Sequence, residues 1–321
     1  MKRVLLTGAT GFVGANLCRR LLREGHAVHC LVRAGYTAWR IADIRPEIHL
    51  HTVDLNDAAA LEAAVAAIRP EWVFHLAAFG AYSWQTDVPR ILRTNLLATI
   101  NLVEACLKTG FESIVNTGSS SEYGFKDHAP LESEGIDPNS YYAVTKAAAT
   151  HYCRYSAARH QVAIPTLRLY SVYGPYEEPG RLIPQVILRG LRGELPPLAG
   201  PAIARDYIYV RDVEDAYLRV AESGLRAGGE IFNLGTGVQT TLAQVAQLSR
   251  RVFGLAVAPQ WGTLQPRAWD TNVWRADSSK IQAALGWQPA VDFEAGFRET
   301  LAWFRERPER VTLYESRSKI G

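Results

Sequence analysis

Short apolar runs and segments of helical period alternate along the first half of the chain. The apolar runs predict strands over residues 3–7, 27–32, 48–53, 71–76, 113–117 and 164–170. Segments in which apolar residues recur with a helical period lie between most of these runs. The alternation predicts an α/β fold built on a doubly wound parallel sheet.

Capping signals and length define the helices of this half. One helix is predicted from residue 12 to 25 and a second from 58 to 69, where Asp57 is suited to cap the N-terminus. Two longer helices are predicted over about 89–108 and 140–160. Their length suits packing against a second subunit, so we expect a homodimer through them, although the surface helices of a monomer would have the same pattern.

The pattern changes beyond residue 174. Glycines and prolines cluster there and the helical segments become shorter, which predicts a first domain over 1–174 and a smaller α/β domain over 175–321. Segments within about 205–240 are expected to return to the first domain. Residues 311–321 lack apolar periodicity and are predicted to be loosely held.

Composition narrows the classes of protein. A chain of 321 residues with 48% hydrophobic residues can bury a sizeable core. Its net charge of +3 includes no basic block, so nucleic acid is not an expected partner. No apolar run reaches the roughly 18 residues that span a bilayer, and the N-terminus leads directly into a strand without a signal peptide, so we expect a cytoplasmic protein. The four cysteines are too widely spaced for a disulfide framework, and no histidine or cysteine motif predicts a metal site.

Regularly spaced glycines mark the passage from the first strand into the first helix. Residues 7–14 read T-G-A-T-G-F-V-G, which places Gly8, Gly11 and Gly14 in a G-x-x-G-x-x-G pattern. Without Cβ atoms, Gly8 and Gly11 let the turn tighten and the backbone approach phosphates, while Gly14 lets the helix lie close to the sheet. The helix directs free N–H groups at an anion. The pattern indicates a dinucleotide pyrophosphate site, although an ordinary strand-to-helix turn can also carry it.

Two further motifs follow in the order expected of residues that meet over one nicotinamide ring. Tyr142 and Lys146 are spaced Y-x-x-x-K near the start of a predicted helix and share one face. A cation beside a phenol lowers the phenol pKa from about 10, which makes the tyrosine a usable general acid or base. The second motif, residues 118–124 with the sequence G-S-S-S-E-Y-G, follows the fifth strand at the edge where such sheets bind ligands. A serine there could hold a substrate oxygen.

With these motifs the chain resembles the extended short-chain dehydrogenase/reductase family, in particular its nucleotide-sugar epimerase, dehydratase and 4-ketoreductase branch. The resemblance covers nearly the whole chain. It includes Asp54-Leu55, the H-L-A-A segment at 75–78, Asn95, and the segments at 168–175, 205–212, 232–237 and 285–289. It implies an NAD(P)-binding Rossmann domain over 1–174 and a domain over 175–321 that mainly binds a nucleotide sugar.

The resemblance assigns roles to the catalytic residues. It implies that Tyr142 is the proton donor, that Lys146 activates it and binds ribose, and that a serine orients the carbonyl. Alignment on Glu122 selects Ser120 and counting back from Gly124 selects Ser119; we favour Ser120. The 4,6-dehydratases of the branch carry an Asp-Glu pair beside this position, whereas here Ser121 precedes Glu122, which argues against dehydration. Glu122 could polarise a substrate hydroxyl or be a solvated loop carboxylate.

The cofactor assignment depends on the end of the second strand. NAD-selective members carry an acid there for the ribose hydroxyls, and residues 29–33 of this chain contain none. Arg33 could instead pair with a 2′-phosphate, with Arg40 near it, so NADP is predicted ahead of NAD. An exposed arginine after a strand is also unremarkable. The resemblance implies the following cofactor-binding residues: Gly8, Thr10, Gly11, Phe12, Val13, Arg33, Asp54, Leu55, Leu76, Ala77, Ala78, Asn95, Tyr142 and Lys146.

The substrate side is also assigned by the resemblance. Arg205 and Arg267 match positions that grip a sugar-nucleotide diphosphate, Asp270 matches a ribose-contacting acid, and Leu182 begins a base-pocket segment. Ser121 and Glu122 complete the expected substrate-binding set. Arginines in Arg-Asp pairs can equally be structural salt bridges.

These assignments predict an NADPH-dependent reductase that acts at C4 of a nucleoside-diphosphate 4-keto-6-deoxy sugar. The alternative is a 4-epimerase that uses the same residues but retains NAD and returns the hydride to the opposite face. A third hypothesis, from another class, is a non-catalytic dinucleotide-sensing module that binds a protein partner.

Overall fold

A computed structural model describes residues 1–225, 229–265 and 270–318. Its strands, in chain order, are β1 (Arg3–Thr7), β2 (Ala27–Val32), β3 (His49–Thr52), β4 (Trp72–His75), β5 (Ser113–Ser119), β6 (Thr166–Leu169), β7 (Ser171–Tyr173), β8 (Ala204–Tyr209), β9 (Ile231–Leu234) and β10 (Gln239–Thr241). Within the described chain, seven of them form one parallel sheet in the order β3-β2-β1-β4-β5-β6-β9. The predicted fold class is confirmed.

The helices lie between and beyond these strands. They are α1 (Phe12–Arg23), α2 (Ala58–Ile68), α3 (Val88–Leu92), α4 (Ala98–Thr109), α5 (Tyr141–His160), α6 (Leu182–Gly190), α7 (Val210–Glu222), α8 (Leu242–Phe253), α9 (Ser279–Leu285), α10 (Phe293–Glu306) and α11 (Glu309–Ser318). One π-helical turn, Arg93–Leu97, joins α3 to α4, so the predicted helix over 89–108 is continuous but irregular. The predicted cap is present, because Asp57 accepts from the Ala60 N–H at the start of α2; Ser140 likewise accepts from the Ala143 N–H at the start of α5.

Both faces of the large sheet are buried, which explains why its central strands are apolar without alternation. Leu6 and Phe74 point to the face covered by α1 and α7, whereas their neighbours Leu5 and Val73 point to the face covered by α2, α4 and α5. All four side chains are fully buried. The four cysteines are buried free thiols within these two layers.

The second part of the molecule is a small sheet in the order β10-β8-β7, packed with α6, α8, α10 and α11. The sheet begins at Ser171, shortly before the predicted domain boundary, and β9 returns to the large sheet beside β6. The prediction of a loosely held C-terminus is wrong over most of its length, because α11 extends to Ser318. Its Tyr314 is 1% exposed and packs edge-on against Trp39 and Phe304.

Candidate active site

The glycine turn between β1 and α1 is shaped by close backbone contacts. Gly8 has a φ of +75°, and a Cβ on it would lie 2.6 Å from the Leu76 carbonyl carbon. A Cβ on Gly14 would collide with the Gly8 carbonyl oxygen, so α1 can approach the turn only with glycine there. The N-cap of α1, Gly11, offers no side chain to the helix N–H groups, and the first turn holds no acid. The turn therefore fits the pyrophosphate of a dinucleotide.

The segment that follows β4 lies directly against this turn. Thr7 Oγ1 accepts from the Ala77 N–H at 3.2 Å and hydrogen-bonds His75 Nδ1 at 2.7 Å. Leu76 and Ala77 are half-buried there and Ala78 is exposed. The structure thus brings Leu76 and Ala77 beside Gly8, as expected of residues that border one dinucleotide.

The end of β2 carries an exposed arginine near an acid. Arg33 is exposed, and its charge helps to keep the Asp54 pKa below the ordinary value, after the larger effect of hydrogen bonds from Asn56. Arg40 has different contacts. Its guanidinium donates to the Tyr176 carbonyl at 2.8 Å, to the Thr10 carbonyl at 3.4 Å and to Glu178 at 2.7 Å, and it is buried. The expectation that Arg40 lies ready for a 2′-phosphate is therefore wrong.

The predicted catalytic pair, Tyr142 and Lys146, lies at the start of α5. Burial raises the pKa of the Tyr142 phenol to about 12, and a hydrogen bond with the Ser119 side chain acts in the opposite direction. Lys146, one turn further along α5, is buried, and burial lowers its pKa. The predicted lowering of the Tyr142 pKa is therefore wrong for the protein alone, because desolvation of the phenol outweighs the neighbouring charges.

Ser119, not Ser120, is the serine that reaches Tyr142. β5 extends through Ser119, and the chain then enters a 3₁₀ turn over Ser120–Tyr123. Ser119 Oγ accepts from the Ser121 N–H at 3.2 Å, which leaves its hydroxyl proton available to donate. β5 is two residues longer than the predicted strand, which places Ser119 at its end, and this contact favours Ser119 over the predicted Ser120. Ser120 and Ser121 still line the same cavity.

Glu122 is part of the core and not of the substrate site. Its carboxylate is fully buried, lies 2.9 Å from Arg168 Nε, and accepts from the Ser119 N–H at 2.8 Å and the Thr150 hydroxyl at 3.1 Å. All of these contacts hold the end of β5 against β6 and α5. The prediction that Glu122 binds substrate is therefore wrong.

Asn95 is likewise engaged by the protein. Its Oδ1 accepts from the Phe79 N–H at 2.9 Å, and its Nδ2 donates to the Phe79 carbonyl at 2.8 Å and to Thr145 Oγ1 at 3.0 Å. The side chain is buried and its amide is fully used. Asn95 therefore fixes the loop after β4 against α5, which contradicts the predicted direct contact with cofactor.

Two neighbouring cavities share part of their lining, and Tyr142 lies in the lining of the first. The first has a volume of about 480 Å³ and contains Tyr142 and Ser119 in its lining, and the second has a volume of about 670 Å³ and contains Leu182 and Asp270. These sizes suit small-molecule ligands. The residues that line both cavities are Ser171, Val172, Glu177, Arg181 and Arg205.

The predicted substrate residues are partly assembled at this junction. Arg205 Nη2 lies 2.7 Å from Asp270 Oδ1, and the Arg205 guanidinium lies 5.3 Å from the centre of the Trp274 ring. Arg267 lies outside the described residues. Sequence reasoning missed Glu177 and Arg181, which are four residues apart around the start of α6 and form an ion pair at 3.6 Å. Their E-x-x-x-R spacing before a helix was the available signal.

The described residues show neither a metal site nor a membrane-spanning helix. They contain no group of three or more histidine, cysteine, aspartate or glutamate side chains placed to hold a metal ion. Within the same residues, every helix is too short or too polar to cross a membrane.

The match to a family of known proteins agrees with this geometry. The model of the NAD dependent epimerase/dehydratase family matches residues 4–235 of the chain. The chain therefore belongs to that family, and the resemblance inferred from its motifs is confirmed. It is an enzyme of the NAD(P)-dependent type.

Individual relatives are similar over almost their full length. The UDP-glucose 4-epimerase of Mycolicibacterium smegmatis is 30% identical over 319 residues, covering 96% of this chain and 100% of the relative. The dTDP-glucose 4,6-dehydratase of Neisseria meningitidis serogroup B is 29% identical, covering 95% of this chain and 93% of the relative. MoeE5, solved in complex with UDP-glucose and NAD, has a TM-score of 0.83 and 32% identity, covering 94% of this chain and 98% of its own. MoeE5 has also been solved with UDP-glucuronic acid and NAD.

Proposed function

We propose that this protein is a nucleotide-sugar 4-epimerase that retains NAD. The observation that carries the proposal is the cavity in which Ser119 and Tyr142 meet, which continues past Arg181 and Arg205 into a second cavity bordered by Leu182. One cavity suits a sugar beside the catalytic pair, and the other suits the nucleotide. The similarity to a UDP-glucose 4-epimerase and to NAD-bound structures supports this choice over the reductase.

The residues of the chain divide the chemistry between them. Bound oxidised nicotinamide supplies a hydride acceptor and a positive charge that favours phenolate. Tyr142 takes the proton from the C4 hydroxyl and returns it, and Ser119 donates a hydrogen bond to the C4 oxygen in both directions. Lys146 binds ribose and keeps a positive charge near the phenol. Tyr142 is half-buried in the lining of the first cavity, so a sugar bound there would keep water away from the proton that moves.

The substrate is proposed to lie across the junction of the cavities. Arg181 and Arg205 can meet the charge of a diphosphate there, because guanidinium groups pair with phosphate oxygens through several donors. Asp270 belongs with Arg205, to which it is paired, and its proposed contact is with ribose. The base is proposed to pack against Leu182 and its apolar neighbours in the second cavity.

A reductase of a nucleotide-bound 4-keto-6-deoxy sugar is the second candidate. One observation favours it: no acid stands at the end of β2 to bind the ribose hydroxyls, and the exposed Arg33 could pair with the 2′-phosphate of NADP. Dehydration is less well supported. Ser119 is followed in the cavity by Ser120 and Ser121, and neither can serve as the acid or base of an elimination at neutral pH.

Direct measurement of turnover tests the proposal. The protein as purified is incubated with UDP-glucose and with UDP-galactose, without added cofactor, and the products are resolved by NMR. We expect UDP-glucose to form UDP-galactose and the reverse, and Tyr142→Phe to lower both rates at least a hundredfold. We also expect to find NAD in the supernatant of the denatured protein. NADPH consumption with a nucleoside-diphosphate 4-keto-6-deoxy sugar, without epimerisation, would establish the reductase instead. Conversion unaffected by Tyr142→Phe would contradict the role proposed for Tyr142, and the absence of any conversion by the wild type would favour the non-catalytic hypothesis.

A homodimer through α3, α4 and α5 is also part of the proposal. These helices pack together, and they expose the apolar side chains Leu92, Leu97, Tyr141, Val144 and Tyr155. A second copy of the same face would remove this apolar surface from water.

A further inference from the structure

Glu177 is a buried acid at the junction of the two cavities. It follows Tyr176, whose φ of +66° turns the chain, and its N–H donates to the Gly174 carbonyl at 3.2 Å. The residue is only 4% exposed and belongs to the lining of both cavities. It is therefore held in a fixed position beside the space that the sugar is proposed to occupy.

One oxygen of this carboxyl is unused. Oε1 lies 3.6 Å from Arg181 Nε, whereas Oε2 is buried and has no hydrogen-bond partner in the described part of the chain. Such buried, unpaired polar atoms are uncommon in proteins because they cost free energy. A buried oxygen without a partner, on a residue that lines both cavities, points to a ligand that completes it.

The surroundings of Glu177 limit what that ligand can be. Burial raises the pKa of Glu177 to about 8, with Arg181 acting in the opposite direction. Among the described lining residues of the first cavity, Glu177 is the one carboxyl and Arg181 and Arg205 are the cations. Each of these arginines already faces a carboxylate, since Arg181 pairs with Glu177 and Arg205 pairs with Asp270.

We propose that Glu177 selects a neutral sugar, by hydrogen-bonding one of its hydroxyl groups through Oε2 and by disfavouring a hexuronate. This inference rests on the proposed function and specifies its substrate class. A hexose hydroxyl can complete Oε2 without adding charge. Where Glu177 is ionised, a sugar carboxylate would place two negative charges beside one guanidinium, which weakens the binding of a hexuronate.

The ratio of the affinities for two sugar nucleotides with the same base tests the selection of a neutral sugar, because the contribution of the base cancels. Dissociation constants for UDP, UDP-glucose and UDP-glucuronate are measured by calorimetry on the NAD-loaded protein at about pH 9, above the raised pKa of Glu177, where its carboxyl is largely ionised. We expect the wild type to bind UDP-glucose at least about tenfold more tightly than UDP-glucuronate, and Glu177→Gln, which cannot ionise, to reduce that ratio to about threefold or less. Glu177→Met, which removes the hydrogen-bonding group, should weaken UDP-glucose about fivefold or more and leave UDP unchanged.

Glu214→Gln is the matched control. Glu214 lies on α7 and is also a buried glutamate; it pairs with Arg23 of α1 at 3.4 Å. It lies outside both cavities. Its variant should keep the wild-type ratio. Equal binding of the two sugar nucleotides by the wild type, or an unchanged ratio in folded Glu177→Gln together with unchanged UDP-glucose affinity in Glu177→Met, would overturn the inference. Failure of UDP and both sugar nucleotides to bind would instead remove the proposed function on which the inference rests.

Discussion

The acidity of a single phenol illustrates how residue-scale forces compete in this site. Tyr142 and Lys146 lie one turn apart on α5, as the Y-x-x-x-K motif implies, yet burial raises the pKa of the Tyr142 phenol to about 12. At neutral pH the phenol is therefore protonated in the protein alone. That state suits proton donation to a carbonyl, whereas removal of a proton from a hydroxyl needs a further positive charge nearby. The site is consequently incomplete as a base without its cofactor.

The assignment of the orienting serine can be tested by a pair of adjacent substitutions. Ser119→Ala should lower kcat for the UDP-glucose to UDP-galactose conversion by about a hundredfold, as expected when a donor to a reacting oxygen is lost. Ser119→Thr, which keeps the hydroxyl, should retain most activity. Ser120→Ala is the control, because its hydroxyl lines the same cavity, and it should change kcat less than about threefold. A larger loss of kcat in Ser120→Ala than in Ser119→Ala would instead support Ser120 as the orienting serine.

The buried acid Glu177 should make stability depend on pH. Burial raises its folded-state pKa to about 8, above the ordinary value of 4.5. Its contribution to folding is therefore fully present below pH 4.5 and is lost as the pH rises through 8. Glu177→Gln does not titrate at this position. The free energy of unfolding of the variant, relative to that of the wild type, should therefore rise by up to a few kcal/mol between pH 5 and 8. Urea unfolding at both pH values measures the change, and a difference that is constant with pH would contradict the raised pKa.

At the scale of elements, the contact between the glycine turn and α1 decides whether the cofactor cradle can form. Gly14→Ala should destabilise the protein by about 1–3 kcal/mol and weaken NAD binding, because the new methyl group meets the Gly8 carbonyl oxygen. Gly135→Ala is the control, since open space surrounds that position and its φ is not positive. Thermal unfolding and NAD titration measure both effects. Normal NAD affinity in a folded Gly14→Ala protein would show that the close approach is not required.

The helices and strands that the sequence predicted are those determined by residues close together in the chain. Six strands of the large sheet follow from continuous apolar runs, and α2 and α5 begin where Asp57 and Ser140 cap them. The same holds for two motifs of the site, because the glycines of the turn, and likewise Tyr142 and Lys146, lie within a few residues of one another in the chain.

The features that sequence could not predict depend on distant partners. α11 is held by aromatic contacts of Tyr314 with Trp39, which lies far away in the chain, so local periodicity carries no sign of it. Glu122 is held in the core, away from the substrate site, by its ion pair with Arg168, which lies 46 positions later in the chain. The choice between Ser119 and Ser120 depended on where β5 ends. Pairing of the last residues of β5 with β6 sets that end.

At the scale of the whole molecule, the candidate site exists only because both sheets contribute to it. Ser119 ends β5 of the large sheet, and Arg205 lies on β8 of the small sheet, yet both line one cavity. The chain then returns from β8 to the large sheet through α7 and β9. We therefore infer that the two parts cannot be separated by a single cut without breaking the sheet that carries Ser119.

The apolar face of α3, α4 and α5 gives the last prediction, which concerns assembly. Val144 is 49% exposed on α5, and it lies two residues from Tyr142 on the same helix. If two copies meet on this face, Val144→Glu buries a charge at the contact and should convert a dimer into a monomer, because an unpaired charge in an interface is costly. Val238→Glu is the control, since Val238 is 67% exposed outside these helices. Sedimentation velocity at micromolar concentration measures the mass, and a dimer that persists in Val144→Glu would assign the face to another partner.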